Sequence, residues 1–340
     1  MRSANPKRQR GKQVTSALPR EVFASLALRV GITSTACWCG SNALALRIQF
    51  GNRPCYGSRL KFADQPRYTG VFRKGISKVR FLITNDDGFD APGLAALHAA
   101  LLSLGDVSVV APAICHSSRG HAVDTKNSIR VERRRLEPFG DMHIVHSTPA
   151  DCIRVGMCHL LKSPPDLVVA GINPGANLGV DLFYSGTAAA AREAALLGVP
   201  AIAISRLLDG NHPISWDLLT RHVTRVVRQL LAPRFRLPTG HFWNVNFPCV
   251  ADEKYPDELT LAPHGVEPHA VAFKVIERTE DSEILSYSAL YRDRGRSETC
   301  DVKHVFDQRI TATPIGPSLT SDPAISMHSR VSLSDAACAD

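Results

Sequence analysis

The chain is predicted to be a doubly wound α/β structure, a mostly parallel Rossmann-like sheet with helices on both faces and a C-terminal β-rich extension. Three observations predict it. Short apolar runs such as "VRFLIT" (79–84), "DLVVAG" (166–171) and "PAIAIS" (200–205) suit strands buried on both faces. Segments of helical period separate them, and strand–helix alternation at this spacing argues for a parallel sheet. The polar clusters fall just after those strands, where open α/β sheets bind ligands.

The elements follow in order. Residues 1–77 have no sustained period of 2 or 3.6 and are rich in Arg, Ser, Asn and Gly, so they read as a disordered basic leader. Order begins at Val79 with the first strand. Pro92 then sits where a first helical turn accepts proline, Leu94, Leu97, Leu101 and Leu104 mark one helical face, and Gly105 ends it. "VSVVAP" (107–112) completes a β-α-β unit. "IRVE" and "HIVHS" are short strands, 149–162 a helix, "DLVVAG" a buried strand, 186–198 an Ala-rich helix, and "PAIAIS" another strand. Residues 216–231 carry a wide apolar helix face, and "FWNVNFP" (242–248) closes the α/β domain, 78–250. Residues 251–316, with "AVAFKVIE" and "RITATPI", read as a β-rich extension or hairpin arm, and 317–340 as a flexible tail.

Charge excludes one class of function. The 340 residues carry a formal +8, but 1–77 hold 14 Lys/Arg against 2 Asp/Glu, a local +12. The rest, with 26 basic and 30 acidic groups, carries −4, which argues against nucleic-acid binding by the body. The nine cysteines are odd in number and form no Cys-x-x-Cys pair, which fits a reducing, cytoplasmic setting and disfavours zinc-ribbon chemistry. No segment reads as a membrane span; the best candidate, from Val30, is short and studded with Ser, Thr and Asn.

The chemistry concentrates in three loops. After the first strand come Asn85, Asp86, Asp87 and Gly88; after the second, His116, Ser117 and Ser118. After "DLVVAG" come Asn173, Asn177, Asp181, Ser185, Gly186 and Thr187. Adjacent residues on a strand face opposite ways, so Asp86 and Asp87 reach one centre only where the chain turns, which Gly88 permits. Two carboxylates, a hydroxyl and an amide carbonyl form an all-oxygen set that suits Mg²⁺, Mn²⁺ or Ca²⁺ and not zinc. Such an ion would offset the repulsion between the paired carboxylates. Ser185-Gly186-Thr187 at a helix start presents free N–H groups, hydroxyls and the positive end of the dipole, an anion site. A metal beside a phosphate cradle is the apparatus of phosphate-ester hydrolysis.

Plainer readings exist for each part. Asn-Asp-Asp-Gly is also an ordinary solvated turn, Ser185 or Thr187 an ordinary N-cap, and Asn173 and Asn177 ordinary loop formers. His116 and His121 flank Ser117, yet a Ser/His pair needs a base placed in space, which adjacency does not supply. A dinucleotide-dependent oxidoreductase would want Gly-x-Gly-x-x-Gly where this chain has Asn-Asp-Asp-Gly.

The segments "VRFLITNDDGFDAPGL", "VVAP", "STPADC", "PDLVVAGINPGANLGVDLFYSGTAAAAREAALLGVPAIAIS" and "NVNFP" resemble the survival protein SurE family of metal-dependent 5′-nucleotidases. The resemblance is strong over 79–250 and weak over 251–316. It implies metal ligands at Asp86, Asp87, Ser117 and Asn173, with Asp86 and Asp87 also catalytic. It implies a phosphate-side loop of Asn177, Ser185, Gly186 and Thr187. It further implies one divalent ion per subunit, Mg²⁺ or Mn²⁺, and hydrolysis of nucleoside 5′-monophosphates and other phosphate esters. Homodimers or homotetramers, built partly by exchanged C-terminal segments, are expected on the same ground. One departure stands out: the family's second loop reads Arg-Ser-Gly-x-Ser, whereas this chain has His116-Ser117-Ser118-Arg119-Gly120. That departure leaves a non-catalytic nucleotide-binding protein on the same fold as the alternative.

Overall fold

A computed structural model describes residues 78–210 and 212–317. The expectations for the basic leader 1–77 and for the tail beyond 317 lie outside these residues.

Strand β1 (Val79–Thr84) explains why helices flank both faces. Phe81 and Ile83 enter one apolar cluster, and Leu82 between them enters another. The first cluster is completed by α1 (Pro92–Leu102), through Leu94, Leu97 and Leu101, and by α4 (Trp216–Leu230), through Leu219, Val223 and Val227. The second is completed by α2 (Pro149–Val155) and α3 (Gly186–Leu196). Alanines 188–191 of α3 are wholly buried, and their small side chains let that helix sit close on the sheet.

The other strands are β2 (Gly105–Pro112), β3 (Val131–Leu136), β4 (Gly140–Val145), β5 (Leu167–Pro174), β6 (Ala201–Arg206), β7 (Phe242–Phe247), β8 (Leu259–Leu261), β9 (Phe273–Arg278), β10 (Glu283–Tyr287) and β11 (Ile310–Ile315). The main sheet runs β3-β4-β2-β1-β5-β6-β7-β11-β8. Pairings from β4 through β7 are parallel; β3 pairs antiparallel with β4, and β11 antiparallel with β7. The chain builds outward from β1 to β2 and β4, then returns to lay β5 on the other side of β1. The order reverses between β1 and β5, and outside the carboxyl ends of the strands at such a point open α/β sheets bind their ligands.

Two details differ from the sequence expectation. The helix expected over 149–162 is α-helical only to Val155 and continues as a wider π turn over Gly156–Leu160. The extension expected over 251–316 divides in two. β9 and β10 form a separate exposed hairpin, while β11 returns to the main sheet between β7 and β8. A short helix, α5 (Asp301–Phe306), precedes β11, and buried Asp301 accepts hydrogen bonds from the N–H groups of Gly179 and Gly265. Among the described residues no helix is long and apolar enough to cross a membrane.

Candidate metal and phosphate site

The paired aspartates follow β1 at this switch point. Beyond β1, Asn85 Nδ2 donates to the Gly88 carbonyl at 2.8 Å, and Gly88 takes a φ of +118°. The chain is therefore already turning at Asp86 and Asp87, as the sequence requires if both are to serve one centre. The loop after β2 is tied to this turn by the His116 N–H, which donates to the Asp86 carbonyl at 2.7 Å, bringing Ser117 alongside. Thr84 of β1 lies opposite Ala170 of β5, so Asn173 follows at the neighbouring strand's carboxyl end. The Asn173 amide nitrogen donates to the Gly175 carbonyl at 2.6 Å, which leaves its side-chain oxygen as the group free to coordinate.

Burial sets the electrostatics. Asp86 is 4% exposed, and desolvation raises its pKa against the opposing effect of the Thr187 hydroxyl. Burial, reinforced by the charge of Asp86, pushes Asp87 up to about 7. Asp87 Oδ2 is buried and has no protein hydrogen-bond partner. A solvent-shielded carboxylate oxygen without a donor is costly as it stands. A hard divalent cation meets that need and cancels the repulsion, so the residues present fit such an ion.

The helix start behaves differently from expectation in part. Ser185 is the N-cap of α3, its Oγ accepting from the Ala188 N–H at 3.0 Å. Helix geometry leaves the N–H groups of Gly186 and Thr187 without intrahelical partners, as an anion cradle needs. Gly186 is there because nothing larger fits: a Cβ on it would lie 2.8 Å from Asp86 Cβ and Oδ2. The Thr187 hydroxyl, expected on the phosphate side, donates to Asp86 Oδ1 at 2.5 Å and orients that carboxylate.

Asn177, also expected at the phosphate, is held in a buried amide network. Its side-chain nitrogen donates to Ser205 Oγ at 2.8 Å and its backbone N–H to Asn246 Oδ1 at 2.9 Å. Asn244 and Asn246 both donate to its carbonyl. These bonds to β6 and β7 fix the 174–178 turn and leave the second Nδ2 hydrogen of Asn177 unspent. Sequence reasoning passed over Ser205, Asn244 and Asn246; polar residues inside wholly buried strands were the available signal.

The second loop carries the departure noted above. Ser118 takes a φ of 58°, the left-handed conformation in which glycine is at ease, and Gly120 takes 60°. Gly120 N–H donates to the Tyr184 carbonyl at 2.9 Å, joining this loop to the residue before Ser185. A separate apolar cleft, walled by Leu230, Pro233 and Trp243, opens at the amino-terminal ends of β5 and β6, away from these groups.

The family model described as survival protein SurE matches residues 81–266. A 5′-nucleotidase SurE from Syntrophobacter fumaroxidans is 37% identical over 245 residues, covering 71% of this chain and 95% of its own. One from Paramagnetospirillum magneticum is 35% identical over 253 residues, covering 72% and 92%. The crystal structure of SurE from Aquifex aeolicus superposes with a TM-score of 0.62 at 29% identity, over 72% of this chain and 96% of that one.

Proposed function

This chain belongs to the survival protein SurE family, and from that premise we propose that it is a divalent-metal-dependent phosphomonoesterase that converts nucleoside 5′-monophosphates to nucleoside and phosphate. The observation that carries the reading is the buried, unpartnered Asp87 Oδ2 beside Asp86 at the switch point of the sheet. Asp86, Asp87, Ser117 and Asn173 would hold the ion, with Mg²⁺ or Mn²⁺ best suited to the oxygen set. Bound there, the ion would supply Lewis-acid polarisation of the phosphoryl oxygens.

The chain's own groups do the remaining work. The Gly186 and Thr187 N–H groups and the α3 dipole receive the phosphate oxygens. Asp86 takes the proton of the attacking water, and the Thr187 hydroxyl holds that carboxylate in place. The amide network around Asn177 keeps the third loop rigid, so the reacting groups meet without reorganisation.

The reading includes a second copy of the chain. Hairpin β9–β10 exposes Phe273, Ile276, Ile284 and Leu285, each more than half accessible. A two-stranded hairpin is marginal alone in water, so an apolar one calls for a covering surface. A homodimer or homotetramer built on this arm supplies it, and a cytoplasmic location accords with the free thiols of Cys115, Cys152, Cys158, Cys249 and Cys300.

Phosphate release from AMP and UMP with and without EDTA tests the activity. Turnover that EDTA abolishes and Mn²⁺ or Mg²⁺ restores is expected; turnover indifferent to chelation, or none with any ion, overturns it.

A further inference from the structure

Two strands along the sheet from β1, the loop after β6 folds Asp209 and His212 onto each other. The His212 N–H donates to Asp209 Oδ1 at 3.1 Å, and the ring Nδ1 lies 3.0 Å from Oδ2. β7 runs parallel beside β6, with Phe247 opposite Arg206, and Cys249 stands two residues beyond its end. The Leu207 N–H donates to the Phe247 carbonyl at 2.9 Å, so the two segments leave the sheet side by side. A carboxylate oxygen, an imidazole nitrogen and a thiol sulfur thereby come within 4.8 Å of one another.

An Asp/His pair three residues apart is by itself an ordinary loop ion pair. The thiol brought from the neighbouring strand makes it a set of three different donors, all of which zinc accepts. Such ligands stand about 2.0–2.3 Å from the ion, hence about 3.3–3.8 Å from each other in a tetrahedron. The widest pair here needs to close by only about 1 Å to reach that spacing. Arg206, 2% exposed, braces the loop by donating to the Leu207 carbonyl at 3.0 Å and the His212 carbonyl at 3.2 Å. Burial, and then the bond to Asp209, raise the Cys249 pKa, while the charge of Arg206 works against them. A metal ion therefore takes the place of the thiol proton, and the neutral ring carries its own proton on the nitrogen left outside. Asp209 and Cys249 also line a cavity of about 530 Å³, which admits water to the fourth position that three protein ligands leave.

We propose that Asp209, His212 and Cys249 form a second metal site, one that takes Zn²⁺. Thiolate and imidazole select the softer ion, whereas the oxygen set at Asp86 and Asp87 suits Mg²⁺ or Mn²⁺. The proposal is independent of the phosphomonoesterase reading. Zn²⁺ bound here ties the loop after β6 to the end of β7 and stabilises the folded chain by linkage.

Co²⁺ is the probe, because a thiolate ligand gives it an intense near-ultraviolet charge-transfer band that an all-oxygen site lacks. The full-length protein, stripped of metal, should develop that band on Co²⁺ titration; Zn²⁺ should erase it, and excess Mg²⁺ should not. Cys249→Ser should abolish the band, and Asp87→Asn should keep it. Asp209→Asn and His212→Ala should each lower Zn²⁺ affinity by more than about 10-fold, the scale for groups that merely orient metal ligands. No band in the parent, a band that survives Cys249→Ser, or one lost in Asp87→Asn overturns the site. Unchanged Zn²⁺ affinity in Asp209→Asn or His212→Ala overturns it as well. Peptide-resolved alkylation of the parent gives an answer free of any folding defect: Zn²⁺ should shield Cys249 while exposed Cys158 still reacts. Equal labelling of Cys249 with and without Zn²⁺ rejects the proposal.

Discussion

The Thr187 hydroxyl donates to Asp86 Oδ1 at 2.5 Å, joining the first turn of α3 to the end of β1. That bond sets the threonine against one of the carboxylates proposed to hold the metal ion. Thr187→Ala should therefore weaken Mn²⁺ affinity, by about 10-fold on the scale of other groups that orient metal ligands, and Thr187→Ser should retain it. Calorimetric Mn²⁺ titration of both variants is the check. Full affinity in the alanine variant would return Thr187 to the phosphate.

Asp87→Asn should abolish most turnover and remove a pH dependence of the metal-free protein. The Asp87 pKa rises from 3.8 unfolded to about 7 folded, so the folded chain binds the extra proton between those values. For a raised carboxyl the stability is fullest below the unfolded value and falls as pH rises toward 7. With EDTA present, the parent should lose Tm between pH 5 and pH 8, and Asp87→Asn should lose less. Equal slopes would mean the carboxyl is not buried as described.

Ser118→Gly should stabilise the fold or leave it unchanged. Removing the Cβ strain at this left-handed φ recovers about 1–2 kcal/mol, while glycine's freedom in the unfolded chain returns about 0.4–1 kcal/mol. Gly120→Ser should do the opposite, since its Cβ would sit 3.1 Å from the Phe183 carbonyl at a φ of +60°. Restoring the family's serine there thus carries a backbone cost that restoring its glycine at 118 does not. Urea melts of the two variants separate them, and a stabilised Gly120→Ser would contradict the loop geometry.

Gly186→Ala tests the close approach of α3 to Asp86. Alanine favours a helix by about 1 kcal/mol over glycine, yet here its methyl must displace a carboxylate 2.8 Å away. Helix content should survive while Mn²⁺ affinity and turnover both fall. A variant with intact metal binding would show that Asp86 has room to move.

Much of this was legible in the sequence, for a local reason. "VRFLIT" and "DLVVAG" announce doubly buried strands by composition alone, and the ligand candidates lie within a few residues of their ends. What was not legible depends on partners distant along the chain. Nothing near Thr187 says that its hydroxyl meets a residue 101 positions earlier. Nothing near Asn177 says that it will be tied to Ser205 and Asn246. Arg294 and Asp181, 113 positions apart, are each ordinary surface-type residues until the fold buries them together. The return of "RITATPI" to the main sheet was hidden likewise, because its alternation suits an edge hairpin as well as a sheet strand.

That return has a consequence for how the protein is made. β7 is buried along its whole length, yet its outer partner, β11, is synthesised only after the intervening hairpin and α5. On the ribosome, β7 must wait as an open apolar edge while those residues emerge at about 5–20 per second. An unpaired edge of that kind invites pairing with another chain. Nascent chains stalled or cleaved before Ile310 should therefore be captured by chaperones or lost to aggregates, although every residue of the proposed metal site has already been translated.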